Sequence, residues 1–309
     1  MDSVDASPVL PSLLEDFPVT RNVLVVANPI AGGFRYRALD RFSERLDTLG
    51  VSVRVWLTRY AGNLTEIAET LDPSVDTLVV GGGDGTINEA VTGLLRRPGA
   101  PPALGVLPFG TANVLAHELG LPFRARAMAD AVVARQLKPL HLGRIGGRPF
   151  LLMVSAGFDA DVVHAVDSLT KRRWGKLAYA AAALRLAVAR QGRDVTVEAD
   201  GERFVCRLAV VTTAGFYGGP LTITRETHST RPGLRLVALK DDAPRTLAAA
   251  ALALGVGRLH RHPGVTDRAV TEVRFSGTGI KLQIDGDRME TSDALIRAEP
   301  RVLTVITGG

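Results

Sequence analysis

The chain has 309 residues, 46% hydrophobic and 22% charged, with a formal net charge of +5. This is the composition of a folded globular protein, and a mild positive excess suits anionic partners such as nucleotides or acidic lipid headgroups. It argues against nucleic acid, because no Lys/Arg block is interleaved with aromatics; the single cysteine, Cys206, excludes an intrachain disulfide and fits a reducing, cytoplasmic setting.

Residues 1–21 are acidic, carry three prolines and lack a basic start with an apolar core, so they read as a tail outside the fold rather than a signal peptide. Asn22–Pro29 (NVLVVANP) then reads as a buried strand, and Leu39, Phe42, Leu46 and Leu49 share one helical face. Val51–Thr58 is a second strand. Asn63–Leu71 is a helix, with Asn63 as N-cap and Glu66 at capping-box spacing. Thr77–Gly82 is a third strand followed by a helix over Ile87–Leu95; Ala103–Pro108 is a fourth, followed by a helix over Ala112–Leu119. Strands separated by helices imply right-handed crossovers and a parallel sheet, whose ligands gather at the carboxyl ends of the strands. Asn28-Pro29, Thr58, Gly81–Gly85 and Pro108–Gly110 all fall at such ends.

From about His141 short strand patterns alternate with Gly and Asp turns at 146–147, 200–201 and 285–286. They suggest an antiparallel sandwich or partial barrel and place a boundary near 140–145, dividing the chain into 22–142 and 143–309. The closing Val302–Thr307 fits either sheet. Two Ala/Leu-rich helices, about 176–190 and 244–257, interrupt the strands. Their apolar stretches, Leu177–Ala189 and Leu247–Val256, fall short of the ~20 residues needed to span a bilayer, so membrane contact would be peripheral. Lys171–Lys176 joins four cations to Trp174, with Tyr179 just beyond, at the start of an apolar helix, a composition suited to an anionic membrane surface and equally to a solvated helix start.

The sharpest local signal is VVGGGDGTINEAV, Val79–Val91. A Gly-rich turn between strand and helix cradles phosphate through bare backbone N–H groups. Asp84 in its midst would repel phosphate unless a divalent cation lay between them; Mg²⁺ takes one or two carboxylates plus phosphate oxygens. Asp84 therefore reads as a metal handle, direct or through water, or else as the cap of the next helix.

NPIAGG (28–33), GGGDGTINEAVTGLL (81–95) and LPFGTANVLAHELGLP (107–122) resemble the diacylglycerol-kinase catalytic-domain family, which includes bacterial soluble lipid kinases, sphingosine kinases and ceramide kinases. The resemblance covers nearly the whole chain from about residue 22. It implies an α/β N-terminal domain of the NAD-kinase-like type with a parallel sheet, a C-terminal antiparallel β-sandwich domain, and a cleft where ATP and Mg²⁺ meet a lipid hydroxyl. It carries nucleotide contacts onto Asn28, Pro29, Thr58, Gly82, Gly83, Asp84, Gly85, Thr86, Asn88, Glu89, Thr111 and Asn113. Thr111 and Asn113 would close over the nucleotide or cap a helix, and Val114 departs from a frequent acid.

The family's late Asp-Gly-Glu has two counterparts. Asp200-Gly201-Glu202 comes early and reads as a hairpin turn; Asp285-Gly286-Asp287 stands in the family's position, with Asp287 where Glu is usual. Asp285 is therefore taken as general base with Asp287 beside it, and a plain hairpin turn is the alternative. Asp159 resembles a family aspartate that supports the site, or caps the following helix. The acids that the family ties to a structural Mg²⁺ are replaced by Ser229, Thr230, Arg231 and Pro232, leaving Glu226 as the one acid nearby.

The expectation is an ATP-dependent lipid kinase acting on a diacylglycerol-like or sphingoid lipid, peripheral at the inner face of the membrane. NAD kinase and a non-catalytic lipid- or nucleotide-binding regulator are the alternatives. The sequence leaves open the lipid itself and whether the chain forms a homodimer.

Overall fold

A computed structural model describes residues 22–166, 176–189, 193–289 and 293–308. The 1–21 tail lies outside the described residues, as does Lys171–Gly175 with Trp174; Tyr179 falls in a helix whose first side chains are likewise not described.

The first half runs β1 (Asn22–Ala27), α1 (Tyr36–Thr48), β2 (Ser52–Leu57), α2 (Asn63–Glu69), β3 (Thr77–Gly82), α3 (Asp84–Arg96), β4 (Ala103–Pro108), α4 (Val114–Glu118), α5 (Ala125–Ala134) and β5 (Leu137–Leu140). Its sheet has the order β2-β1-β3-β4-β20-β5, where β20 is the last strand, Leu303–Ile306. β20 runs parallel to β4 and antiparallel to β5, so the sheet is mixed and mostly parallel, and the closing strand returns to it from the far end of the chain. β1 and β3 read as continuous apolar runs because both faces are covered; Val23–Ala27 and Leu78–Val80 are essentially inaccessible. Leu39, Phe42 and Leu46 of α1 are buried at the expected spacing.

Two expected helix starts differ. The N-cap of α2 is Gly62, held at φ 87°, and Asn63 is already helical; its Oδ1 accepts from Arg59 N at 3.1 Å, and Glu66 accepts from the Tyr60 hydroxyl instead of closing a capping box. α3 begins at Asp84, three residues earlier than the apolar period suggests.

The second half runs β6 (Gly143–Ile145), β7 (Arg148–Phe150), β8 (Met153–Gly157), α6 (Phe158–Ala165), α7 (Lys176–Ala189), β9 (Val195–Ala199), β10 (Glu202–Cys206), β11 (Leu208–Thr212), β12 (Phe216–Tyr217), β13 (Leu221–Thr222), β14 (Leu234–Leu239), α8 (Pro244–Gly255), β15 (Val265–Val270), β16 (Glu272–Ser276), β17 (Leu282–Ile284), β18 (Asp287–Met289) and β19 (Asp293–Ala298). Two six-stranded antiparallel sheets, β10-β9-β16-β19-β6-β7 and β15-β14-β11-β8-β17-β18, enclose a core that includes Phe150, Val154, Val197, Leu236, Phe275, Leu282 and Ile296. Among the described residues no helix is long and apolar enough to cross a membrane.

Candidate active site

Three loops meet at the carboxyl ends of β1, β3 and β4. Asn28 N donates to Gly81 O at 2.7 Å, Asn28 Nδ2 to Thr86 Oγ1 at 3.2 Å, and Gly33 N to Phe109 O at 2.7 Å. Gly83 and Gly110 press backbone on backbone: a Cβ on Gly110 would collide with the Gly83 Cα. Only glycine allows that approach, so this is what the Gly-rich signature does structurally. Asn113 sits at φ 48° and spends its amide on the turn, accepting from Gly110 N at 2.7 Å and donating to Gly110 O at 2.9 Å. It shapes the loop rather than reaching outward. Thr111 is exposed beside Gly32, and Pro29, Thr58, Thr86 and Glu89 are half-buried around the same rim. Gly82 is buried in β3 and Gly85 is exposed at the start of α3.

Asp84 caps a helix, but not its own. Its two carboxylate oxygens accept from Val114 N and Leu115 N, each at 3.0 Å, at the N-terminus of the five-residue α4. A carboxylate there meets the positive end of the peptide dipoles. Each oxygen keeps a further lone pair for another donor or a cation. Burial holds the Asp84 carboxyl above the usual carboxylate range, against the lowering by these N–H groups.

One turn along α3, Asn88 crosses to the second half of the chain. Its Nδ2 donates to Asp285 Oδ2 at 2.7 Å. Asp285 also accepts from Leu151 N at 2.6 Å, Leu152 N at 2.8 Å and Met153 N at 2.9 Å. Burial pushes its pKa up to about 6 against the pull of these donors, and the Asp84 charge adds to the rise. The structure thus brings Asp84, Asn88 and Asp285 together across the two halves. Neither carboxylate has a lysine or arginine salt-bridge partner among the described residues.

Asp285 lies at φ 49° and Gly286 at φ 85°, in the hairpin turn between β17 and β18. Asp200 and Gly201 make the same turn, at φ 51° and 85°, between the edge strand β10 and β9. The backbone cannot tell them apart; surroundings do. The exposed Asp200 carboxylate accepts from Thr271 N, Thr271 Oγ1 and Glu272 N, which hold it below its ordinary pKa. Asp287, at the start of β18, is exposed and stands outside the bonded set around Asp285.

Asp159 does not cap α6, whose N-cap is Gly157. Buried in the first turn, it accepts from the Ser155 hydroxyl, the Tyr217 hydroxyl and Gln283 Nε2, the last at 3.2 Å. Gln283 Oε1 in turn accepts from Gly286 N at 2.7 Å. A side-chain amide can donate to a carboxylate and accept from a backbone N–H at the same time, and in this way Gln283 ties Asp159 to the Asp285 turn. Sequence reasoning passed over Gln283; its signal is a polar residue in the otherwise apolar strand LQI.

Glu118 was passed over as well. Buried at the end of α4, its carboxylate accepts from Gly215 N at 3.0 Å, Phe216 N at 3.1 Å and Ser229 N at 2.9 Å. The segment where the resemblance expects metal-bound acids is thereby held by a carboxylate from the other half. Among the described residues no three His, Cys, Asp or Glu side chains form a metal-ligating group. Any Mg²⁺ here would have to take most of its ligands from nucleotide and water, as Mg²⁺ commonly does.

Comparison with known proteins gives a consistent assignment. Residues 22–145 match the diacylglycerol kinase catalytic domain, and residues 152–307 match the YegS C-terminal NAD kinase beta sandwich-like domain. A diacylglycerol kinase of Bacillus subtilis (strain 168) is 30% identical over 200 residues, 63% of this chain and 66% of that protein. A diacylglycerol kinase of Staphylococcus saprophyticus is 28% identical over 182 residues, 58% of this chain and 59% of that protein. The chain therefore spans about three fifths to two thirds of the length of these relatives. A crystal structure of a diacylglycerol kinase from Bacillus anthracis str. Sterne superposes with a TM-score of 0.78 over 93% of this chain and 97% of that one, at 20% identity.

Proposed function

Since the chain belongs to the diacylglycerol-kinase catalytic-domain family, we propose that it transfers the γ-phosphoryl group of ATP to the hydroxyl of a diacylglycerol-like lipid. A sphingoid or ceramide-type alcohol is the finer alternative within the same chemistry. The observation that carries the reading is the hydrogen bond from Asn88, on the helix that the Gly-rich loop opens, to Asp285, whose carboxyl pKa burial pushes up to about 6. A general base works best with its pKa close to the working pH, and this one faces the loops that the family uses for nucleotide.

The acceptor hydroxyl oxygen attacks the γ-phosphorus; an O–P bond forms, the bond to the β–γ bridging oxygen breaks, and ADP leaves. Asp285 accepts the hydroxyl proton. Three of its four donors are fixed backbone N–H groups. The Asn88 amide is the one that can swing aside for a substrate hydroxyl. Asn28, Thr86, Thr111 and the backbone amides of Gly83 and Gly85 offer neutral hydrogen bonds to phosphate and ribose. Asp84, with Glu89 on the same helix, fits a water-mediated Mg²⁺ carried in with ATP; such an ion would neutralise phosphate charge that no lysine in Val79–Gly85 can neutralise. Asp287 is proposed as an outer contact to the acceptor.

The proposed setting is peripheral, at a cytoplasmic anionic membrane surface, where the acceptor resides. Transfer of label from γ-labelled ATP to a panel of diacylglycerol, phosphatidylglycerol, ceramide, sphingoid base, undecaprenol and NAD tests the reading. Label on a glycerolipid supports it; label on NAD alone, or on nothing, rejects it.

A further inference from the structure

We propose that the outward face of α8 is a docking surface for an anionic lipid bilayer. The inference rests on the lipid-kinase reading for its occupant and on the surface itself for its location. An ordinary amphipathic helix packs one apolar face inward and shows charge outside. α8 does otherwise. Ala250 is buried, and Leu247, Ala253 and Leu254 pack against the main core. The opposite face shows Ala248, Ala249, Ala251, Leu252 and Val256 to solvent, with Leu252 71% and Val256 57% exposed. From Thr246 to Gly257 there is no charged residue.

Apolar residues at the surface are unremarkable singly, but a cluster rimmed by charge marks a contact site. Two neighbouring elements also expose apolar residues. α7 packs beside α8 and exposes Val188; β13 packs against it and exposes Leu221. The charges are arranged by end. Asp241 and Asp242 precede the helix, with Arg245 in its first turn. Exposed Arg258, His260 and Arg261 follow the C-terminus, and the Arg225 guanidinium lies 3.2 Å from where a Gly257 Cβ would stand. Exposed cations beside an apolar face complement anionic headgroups over an acyl interior.

That basic end is connected to the chemistry by a chain of contacts. Thr222 of β13 lies beside Gly257, and β13 pairs with β12, where Tyr217 donates to Asp159. Asp159 connects through Gln283 to the Asp285 turn. A bilayer resting on Leu252, Val256 and the cations would present its lipid next to the half of the cleft that holds the base.

The test is co-sedimentation of the full chain with phosphatidylcholine vesicles, with and without phosphatidylglycerol. Wild type should partition onto the phosphatidylglycerol vesicles, less so as salt rises. The L252D/V256D variant should lose about tenfold or more of that partitioning, and R258Q/R261Q should lose the preference for phosphatidylglycerol. Both changes are on solvent-facing positions, and unaltered thermal melts confirm that the fold is kept. Turnover on a water-soluble short-chain diacylglycerol should be unchanged in L252D/V256D, while turnover on vesicle-borne diacylglycerol should fall. Wild-type partitioning by L252D/V256D overturns the proposal. So does a dimer that this variant dissociates without affecting vesicle binding, which would make the face a self-interface. If wild type binds vesicles as expected but phosphorylates neither lipid, the kinase reading fails and the docking surface stands.

Discussion

Asp285 and Asp200 are the same residue in the same turn with opposite titration behaviour. Four donors surround Asp285, yet burial and the Asp84 charge outweigh them and raise its pKa to about 6 from an ordinary 3.8. The folded protein therefore holds this proton more tightly than the unfolded chain. The stability linked to it is full below about pH 4 and is lost as pH rises through about 6. A base must be deprotonated, so kcat/KM for the free enzyme should rise over that window and level off above it. Asn88→Ala removes a donor that favours the charged form; a pH–rate profile should show the acid limb displaced upward, and an unmoved limb would detach Asn88 from the base. Asp285→Asn should cost ~10²–10⁴-fold in kcat while nucleotide affinity stays near wild type. Asp200→Asn should leave kcat alone. It is not silent for the fold, since Asp200 holds Thr271 and Glu272; urea titration should find a loss of about 1 kcal/mol. The sequence pointed to Asp285 by its order along the chain, but it could not show the Leu151–Met153 amides, because a hydrogen-bond nest made by backbone has no residue signature.

At the scale of elements, α4 exists because of its neighbours. Five residues are too few to form a helix alone. Asp84 caps its start, and Glu118 at its end anchors Gly215, Phe216 and Ser229. Strand and helix patterns exposed the βα units and the sites of their loops, since both faces of β1 and β3 are apolar. Cap identities were less legible: Asn63 carries the right side chain for a cap, yet Gly62 in the left-handed region takes the position. In sequence Asp84 fits a metal handle or a cap, and the helix it caps is α4, 30 residues on. Asp84→Asn keeps one acceptor and loses the charge. It should lower stability by ~1 kcal/mol as well as abolish turnover, so calorimetry and activity should fall together. Activity lost with an unchanged melting temperature would reduce the cap to a minor role.

The molecule as a whole is held by links that cross its midline. β20 returns to the first sheet beside β4, Asn88 reaches Asp285, and Glu118 receives three amides from the second half. Such long-range closure is invisible to periodicity; Val302–Thr307 fitted either sheet equally. Only the lone acid in the otherwise apolar or neutral VLAHE segment hinted at Glu118. Glu118→Ala strands buried N–H groups, each worth about 1–3 kcal/mol when unpaired. Denaturation should show a loss of ~3 kcal/mol or more, and a loss within about 0.5 kcal/mol would mean water replaces the carboxylate.

The proposed reaction requires the two halves to bring a nucleotide loop and a base for the acceptor hydroxyl into one site. Its most direct test is label transfer from γ-labelled ATP to diacylglycerol by wild type and Asp285→Asn, with ATP affinity measured on both. The expected result is ATP-dependent label on the lipid with wild type, a 10²–10⁴-fold slower transfer with Asp285→Asn, and matching ATP affinities. Wild-type transfer rates in Asp285→Asn would contradict it.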